Sequence, residues 1–479
     1  MPGIAGTTTT DHSPAVASAL DAMRHRGPDG SRIVREHGAT LGQVWSTAHA
    51  HCHRRGEQTA AVLDGEVWNW AELRPGATSP LEALAAGYAE AGPSFVSRLQ
   101  GHFALAVAGA DGLLLGRDPL GVVPLYYHAD ETLSFASEAE AMCALSADFG
   151  ECPPGHYYHP RTGLVRHAKV APGLPLIESP EQIARELRHR LVRAVARRVA
   201  GESTGAWLSG GLDSSAIAAL AVEQKGRLKT FVAGVEGAPD LPYAHLAATF
   251  LGTEHHERIC TPRELVAAVP EVVRHLESFD ALLVRSSLTN YLAGQMAADQ
   301  VSTVLSGEGG DELFAGYDYL TALPPGKLAD ELLAITKRLH NTALQRVGRC
   351  SRAHGLVAHV PFLDDEVVAL ALRIPTRYKL DPSAGRQAKW ILRRAMDGRL
   401  PPEIVSRPKA KFWEGAGVQG ILKEHAERVI SDSDFRAERT LPDGTEAASK
   451  EELLYYRAFR EHLGEDVSIS FVGRTPVAA

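Results

Sequence analysis

The sequence predicts a two-domain chain: packed antiparallel sheets first, then a parallel α/β sheet with a helical tail. Three observations carry this. Roughly the first 170 residues break into short β runs separated by Gly, Asp and Pro. From about residue 179 strands alternate with helices, the rhythm of a parallel sheet covered by helices. The length, 479 residues, exceeds one ordinary core at roughly 150 residues per domain.

Each element has its own signal. Apolar–polar alternation marks VWSTAHAHCH (44–53), and AAVLDGEVWN (60–69) follows as a second β run. FALAVAG (103–109), GLLLGRD (112–118), PLYYH (124–128) and TLSFAS (132–137) continue the series. One helix interrupts it, opened by Ser79-Pro80, with proline where the first turn tolerates it. Pro153, Pro154 and Gly155, and the stretch 172–180, read as exit and linker. A long amphipathic helix follows, capped by Ser179 with Pro180 behind it. TGAWLSGG, LKTFVAGV and VSTVLSGEGG then read as strands, and SSAIAALAVEQKG and LVAAVPEVVRHL as helices. Beyond about 320 the chain reads as mainly helical. The domain boundary is expected at 175/176.

Composition narrows the class. Hydrophobic residues are 44% and charged residues 23%, a globular proportion. Fifty basic side chains against 58 acidic ones leave −8, which argues against a general nucleic-acid binder. The opening MPGIAGTTTTDH has no basic or apolar region of a secretory signal, and no run of about 18 apolar residues appears. Five cysteines without CxxC spacing fit neither a disulfide framework nor structural zinc. A cytoplasmic protein with no membrane partner is expected.

Two glycine-rich loops carry the chemistry. Ser209-Gly210-Gly211-Leu212-Asp213-Ser214-Ser215 follows an apolar strand and precedes a helix. Its glycines let backbone curl around an anion, and hydroxyls and helix N-terminal amides donate to phosphate oxygens. Asp213 does not suit a phosphate directly but can hold a magnesium ion that does. Ser306-Gly307-Glu308-Gly309-Gly310-Asp311-Glu312 sits at another strand end, with Asp311 placed as a second magnesium ligand. A third signal is basic: Lys389, then Arg407 and Lys409, where pyrophosphate departure needs cations. A solvated basic face accounts for Arg386, Arg393 and Arg394. His49, His51 and His53 fall on one strand face beside Cys52; a half-exposed strand explains them better than a metal site.

On these residues the chain resembles the asparagine synthetase B family. SGGLDSS resembles the PP-loop of ATP pyrophosphatases, and SGEGGDELFAGY, VPFLD (360–364), RPKAKFWEGAG and SKEELLYYRAF (449–459) resemble the synthetase domain. RHRGPDG (24–30), DGEVWN (64–69), LQGHFALAV (99–107), GRDPLGVVPLYY (116–127) and FASE (135–138) resemble its glutaminase domain. The resemblance implies an αββα sandwich of the N-terminal-nucleophile type over 1–175 and an adenine-nucleotide α-hydrolase-like domain over 176–479. It implies ATP and magnesium as cofactors, and a carboxylate adenylated with release of pyrophosphate, then attacked by an amine. Carried over by position, Asp213 and Asp311 would hold magnesium. Ser209, Gly211, Ser214 and Ser215 would cradle pyrophosphate beside Lys389. Leu208, Ala233, Ser306 and Gly307 would line the AMP site, and Lys409 would stabilise the tetrahedral intermediate. A homodimer is implied by the resemblance alone.

Departures from the pattern are as informative. The family's nucleophilic cysteine after the initiator methionine is Pro2 here, and its NGE is DGE. Asp64 would set a carboxylate where the family's Asn donates to an oxyanion. No acid occurs at Thr78–Leu81, and AHAHCHRR replaces the segment with the carboxylate-binding arginine. The glutaminase is expected to be inactive. In the second domain a catalytic-site Glu becomes Val357 and an Arg becomes His359; Arg285 survives, but the threonines before it become Leu282 and Leu283. With Arg285, Glu308 and Val357 on the substrate side, a carboxylate other than aspartate is expected, since an unpaired amine costs affinity steeply. His359 is a candidate base. Ammonia or an amine would supply nitrogen. β-Lactam or lasso-type macrolactam closure, ammonia-dependent asparagine synthesis and a non-catalytic nucleotide-binding regulator stay open.

Overall fold

The computed structural model describes residues 2–9, 13–46, 59–199, 203–381, 385–409 and 412–475. The strand expected to run on to residue 53, with His49, His51, Cys52 and His53, therefore lies largely outside the described residues. The chain divides into two compact units: 1–170 with 352–355 and 459–473, and 171–351 with 356–458 and 474–479.

The first unit is a sandwich of two antiparallel sheets. One holds β1 (Gly3–Thr7), β2 (Gly30–Glu36), β3 (Ala39–Trp45), β7 (Tyr126–Ala129), β8 (Leu133–Ala136) and β9 (Gly150–Glu151), in the order β2-β3-β1-β8-β7-β9. The other holds β4 (Ala60–Val67), β5 (Gly101–Gly109), β6 (Gly112–Arg117), β10 (His156–His159) and β11 (Gly163–Arg166), in the order β11-β10-β6-β5-β4. All nine residues of β5 are buried, so this strand reads as a continuous apolar run. The helix Ser13–Ala22 packs on β1 and β3, and the helix Pro80–Ala91 on β4 and β5, giving αββα layers. Ser79 caps the second of these by accepting from the Glu82 amide. The first was not foreseen: it is a short, alanine-rich segment between turn residues.

The second unit is built on a parallel sheet: β12 (Thr204–Trp207), β13 (Lys229–Val235), β14 (Glu254–Cys260), β15 (Thr303–Leu305) and β16 (Val357–His359), in the order β14-β13-β12-β15-β16. Helices Pro180–Ala196, Leu212–Lys225 and Pro262–Leu276 form as expected, the first and last with complete capping boxes at Ser179 and Thr261. Two strands escape the sequence pattern. EHHERIC is an edge strand with exposed residues, so its polarity is that of solvent contact rather than of a loop. VAH has three residues, too few for any periodicity.

Candidate functional site

β12 and β15 are neighbours, and the chain leaves them toward opposite edges of the sheet, β12 to β13 and β15 to β16, so the loops beyond them meet at one switch point. Gly210 has φ +69°, and a Cβ there would overlap the Tyr243 backbone; only glycine fits. The helix Leu212–Lys225 starts at once, with Gly211 as N-cap and no side-chain cap. Its first amides are thus left for an anion. Ser209 Oγ lies 3.1 Å from Ser214 Oγ and 3.4 Å from the Gly211 amide that donates to it, so the loop is already curled.

Two carboxylates and two ammonium groups meet beside this helix end. Lys389 Nζ donates to Asp213 Oδ2 and lies 2.5 Å from Asp311 Oδ1; Lys409 Nζ donates to Asp311 Oδ2 at 2.5 Å. Gly316 leaves room for Lys389, because a Cβ there would overlap both Asp311 and the lysine. Burial raises the pKa of Asp213 against the pull of Lys389. Burial also opposes ionisation of Asp311, but Lys389 and Lys409 outweigh it and hold this carboxyl below the usual range. For Lys409 burial is likewise outweighed, by Asp311 and Asp213, and the ammonium is held more firmly. Asp213 Oδ1 makes no hydrogen bond, and Asp311 Oδ1 faces the Lys389 ammonium. They are the donors a hard divalent cation would take. No cluster of three metal-ligating side chains occurs among the described residues, so such a cation would complete its shell from phosphate and water.

The cavity here measures about 140 Å³. Ser306, Gly307 and Glu308 form its β15 side, and Glu308 accepts from Arg346 at 2.5 Å. Asn290, 7% exposed, lines it with an unpartnered Oδ1. Arg393 is buried in the wall rather than solvated, donating to the Ala388, Val405 and Arg407 carbonyls. Arg407 donates to the Ser209 carbonyl at 3.2 Å and to Asp240 at 2.5 Å. Arg346, Asn290 and Asp240 escape sequence reasoning, because they come from helices with no motif of their own.

The structure gathers Ser209, Gly211, Asp213, Ser214, Ser306, Gly307, Glu308, Asp311, Lys389 and Lys409 on this one cavity. Leu208, Ser215 and Ala233 are buried and are not among its lining residues. Val357 and His359 are buried on β16, where the His359 carbonyl accepts the Ser306 amide at 2.8 Å. Arg285 stands apart from the cavity lining. It grips both oxygens of Glu451 at 3.0 and 2.5 Å, and Tyr455 donates to the same carboxylate.

The first unit has a different cluster. Arg26, fully buried, donates to Asp64 Oδ2 at 2.5 Å, to the Pro2 carbonyl at 3.0 Å and to Glu138 at 3.4 Å. Ser137 donates to the same Asp64 oxygen at 2.9 Å. Of the GRDPLG motif, Arg117 is spent on the carbonyls of Val123, Cys152 and Gly121, and Asp118 on three backbone amides.

Comparison with known proteins agrees with this architecture. Residues 186–331 and 322–474 match the asparagine synthase family model, and residues 1–151 match that of the glutamine amidotransferase domain. A probable glutamine-hydrolysing asparagine synthetase of Dictyostelium discoideum is 33% identical over 92% of this chain and 89% of its own. Asparagine synthetase B of Escherichia coli (strain K12) is 34% identical over 92% of this chain and 86% of its own. Asparagine synthetase 2 of Arabidopsis thaliana is 32% identical over 92% and 82%.

Proposed function

The chain belongs to the asparagine synthetase family of ATP-dependent carbon–nitrogen ligases, and from that premise we propose that it joins a specialised carboxylate to ammonia or an amine without hydrolysing glutamine. The reaction runs through an acyl-adenylate with release of pyrophosphate. The observation that carries this reading is the pairing of Asp213 and Asp311 with Lys389 and Lys409 at an uncapped helix start.

The chain's own groups divide the work. Gly211, Ser209 and Ser214 bind phosphate oxygens at the helix start, while Leu208, Ala233, Ser306 and Gly307 surround the nucleoside side. Magnesium held by Asp213 and Asp311 would supply charge neutralisation on the phosphates. The substrate carboxylate attacks the α-phosphorus, and pyrophosphate leaves toward Lys389. Lys409 then offsets the negative charge that develops when nitrogen adds to the acyl carbon. The incoming nitrogen must lose a proton; Glu308, in the cavity wall, is the nearer candidate to accept it, and His359, buried on β16 outside the lining, is the second.

Loss of glutaminase activity is supported by position 2, which has no thiol, and by Asp64, which carries a paired carboxylate where an oxyanion needs a donor. The specialised carboxylate is supported by Val357, Leu282 and Leu283, apolar where the family is polar.

The test is pyrophosphate release with ATP and magnesium across a panel of acids, each with glutamine, ammonium or hydroxylamine, and mass spectrometry of products. Release with ammonium or hydroxylamine and a single non-aspartate acid is expected. Turnover supported by glutamine would overturn the glutaminase reading, and efficient asparagine formation the substrate reading.

A further inference from the structure

Arg407 lies two residues before Lys409, and its side chain is 8% exposed. Its guanidinium joins two other pieces of the second unit, the Ser209 loop and the helix Asp240–Leu251. One nitrogen donates to the Ser209 carbonyl at 3.2 Å, in the loop that opens the phosphate site. Another donates to Asp240 at 2.5 Å, at the start of the helix Asp240–Leu251. The plane sits over the Tyr243 ring, 4.0 Å from its centroid. Tyr243 is also the residue whose backbone presses on Gly210, so ring, loop and guanidinium constrain one another. The main chain is tied separately, by Arg393 donating to the Arg407 carbonyl at 3.2 Å.

We propose that Arg407 is a positioning residue, which sets the Ser209–Gly211 loop for phosphate and thereby couples that loop to the segment carrying Lys409. A planar fork is needed: it serves two acceptors and an aromatic face at once, whereas a lysine could keep only the Asp240 pair. The nucleotide, not the carboxylate, should feel the loss, because every partner of the guanidinium belongs to the phosphate loop or the helix beside it. The Arg393 tie leaves the segment's backbone anchored when the side chain changes, and R407K keeps a cation for Asp240, so that variant separates loop geometry from folding.

This rests on the reading that ATP binds at the loop. The experiment measures magnesium–ATP binding by calorimetry for wild type, R407K, R407Q and R407A, with melting temperature and pyrophosphate-release kinetics on the same samples. R407K, which keeps a cation for Asp240, should bind ATP about tenfold more weakly or worse with a melting temperature close to wild type, whereas R407Q, which leaves Asp240 unpaired, should lose stability as well. The carboxylate KM should stay within about twofold in R407K. Methylguanidinium added to R407A should restore part of the ATP affinity, which a merely structural loss would not allow. ATP affinity within about twofold of wild type in R407K and R407Q overturns the inference alone. An affinity loss in R407K that follows a fall in its melting temperature, without rescue of R407A, does the same. A wild type that binds no ATP overturns the reading and the inference together.

Discussion

Each unit buries a cluster of cations and carboxylates, and the two clusters differ in one respect that decides their use. Arg26 and Asp64 in the first are both 0% exposed, and the same arginine also holds a backbone carbonyl and Glu138. Lys409 and Asp311 in the second keep 26% and 14% of their side chains exposed, on a cavity wall. A sealed pair is closed to a ligand: even its unbonded Asp64 Oδ1 and Arg26 Nε are buried out of reach. An open pair can exchange its partner for a phosphate or a metal when one arrives. Cation–carboxylate pairs at the same closest separation thus serve cohesion in one place and reactivity in the other.

Removing charge from the open cluster should have the largest effect. Lys389→Ala, and separately Asp311→Asn, should lower pyrophosphate release about a thousandfold, since each strips a charge aimed at the departing pyrophosphate or its counter-ion. Asp64→Asn in the sealed cluster should leave that rate, measured on the folded fraction, within about twofold. Equal losses from both clusters would erase the distinction drawn between them.

Next in size comes the proton acceptor. Glu308→Gln should cut amide formation about a hundredfold while adenylation, followed by pyrophosphate exchange, changes less. His359→Asn should do so only if the histidine, and not Glu308, receives the proton. The two variants assayed side by side separate the roles.

The sealed cluster should reveal itself in stability. Asp64→Asn leaves the buried Arg26 without its closest counter-charge, at about 3 kcal/mol. Denaturant unfolding should register this as a lower midpoint in the first unit. Arg26→Met with Asp64→Leu should recover most of it, because both desolvated charges are gone. A single variant as stable as wild type would mean that the pair contributes nothing to cohesion.

What was legible in the sequence follows from how local each signal is. The loop SGGLDSS needs its glycines, its hydroxyls and its aspartate within one turn of chain, so it can be read without knowing the fold. The same holds for Asp311 and for the Ser79 and Ser179 caps. Arg346, Asn290 and Asp240 reach the cavity only because helices remote in sequence pack around the sheet. Arg393 looked like one more cation on a basic face, and only its carbonyl partners show why it is buried. The β14 strand hid because an edge strand keeps polar side chains toward water. Local chemistry was therefore visible and the assembly of the wall was not.

Lys379 extends the comparison to a buried cation whose shift comes from desolvation alone. It is 3% exposed, and burial lowers its ammonium from the ordinary 10.5 to about 7. Below pH 7 the folded and unfolded chains both carry the proton, and the full cost of burying the charge weighs on the folded state. Between about pH 7 and 10.5 the unfolded chain holds a proton that the folded chain has shed, so wild-type stability gains up to about 1.4 kcal/mol per pH unit from this group. Lys379→Met keeps the length and removes the titration. It should be more stable than wild type at pH 6, and its advantage should shrink steadily toward pH 10 as the lysine becomes neutral. Unfolding midpoints of both proteins at pH 6, 8 and 9.5 measure that closing gap. Parallel profiles would mean that the ammonium stays charged across the range and is compensated, which would place Lys379 with the sealed pair of the first unit rather than apart from it.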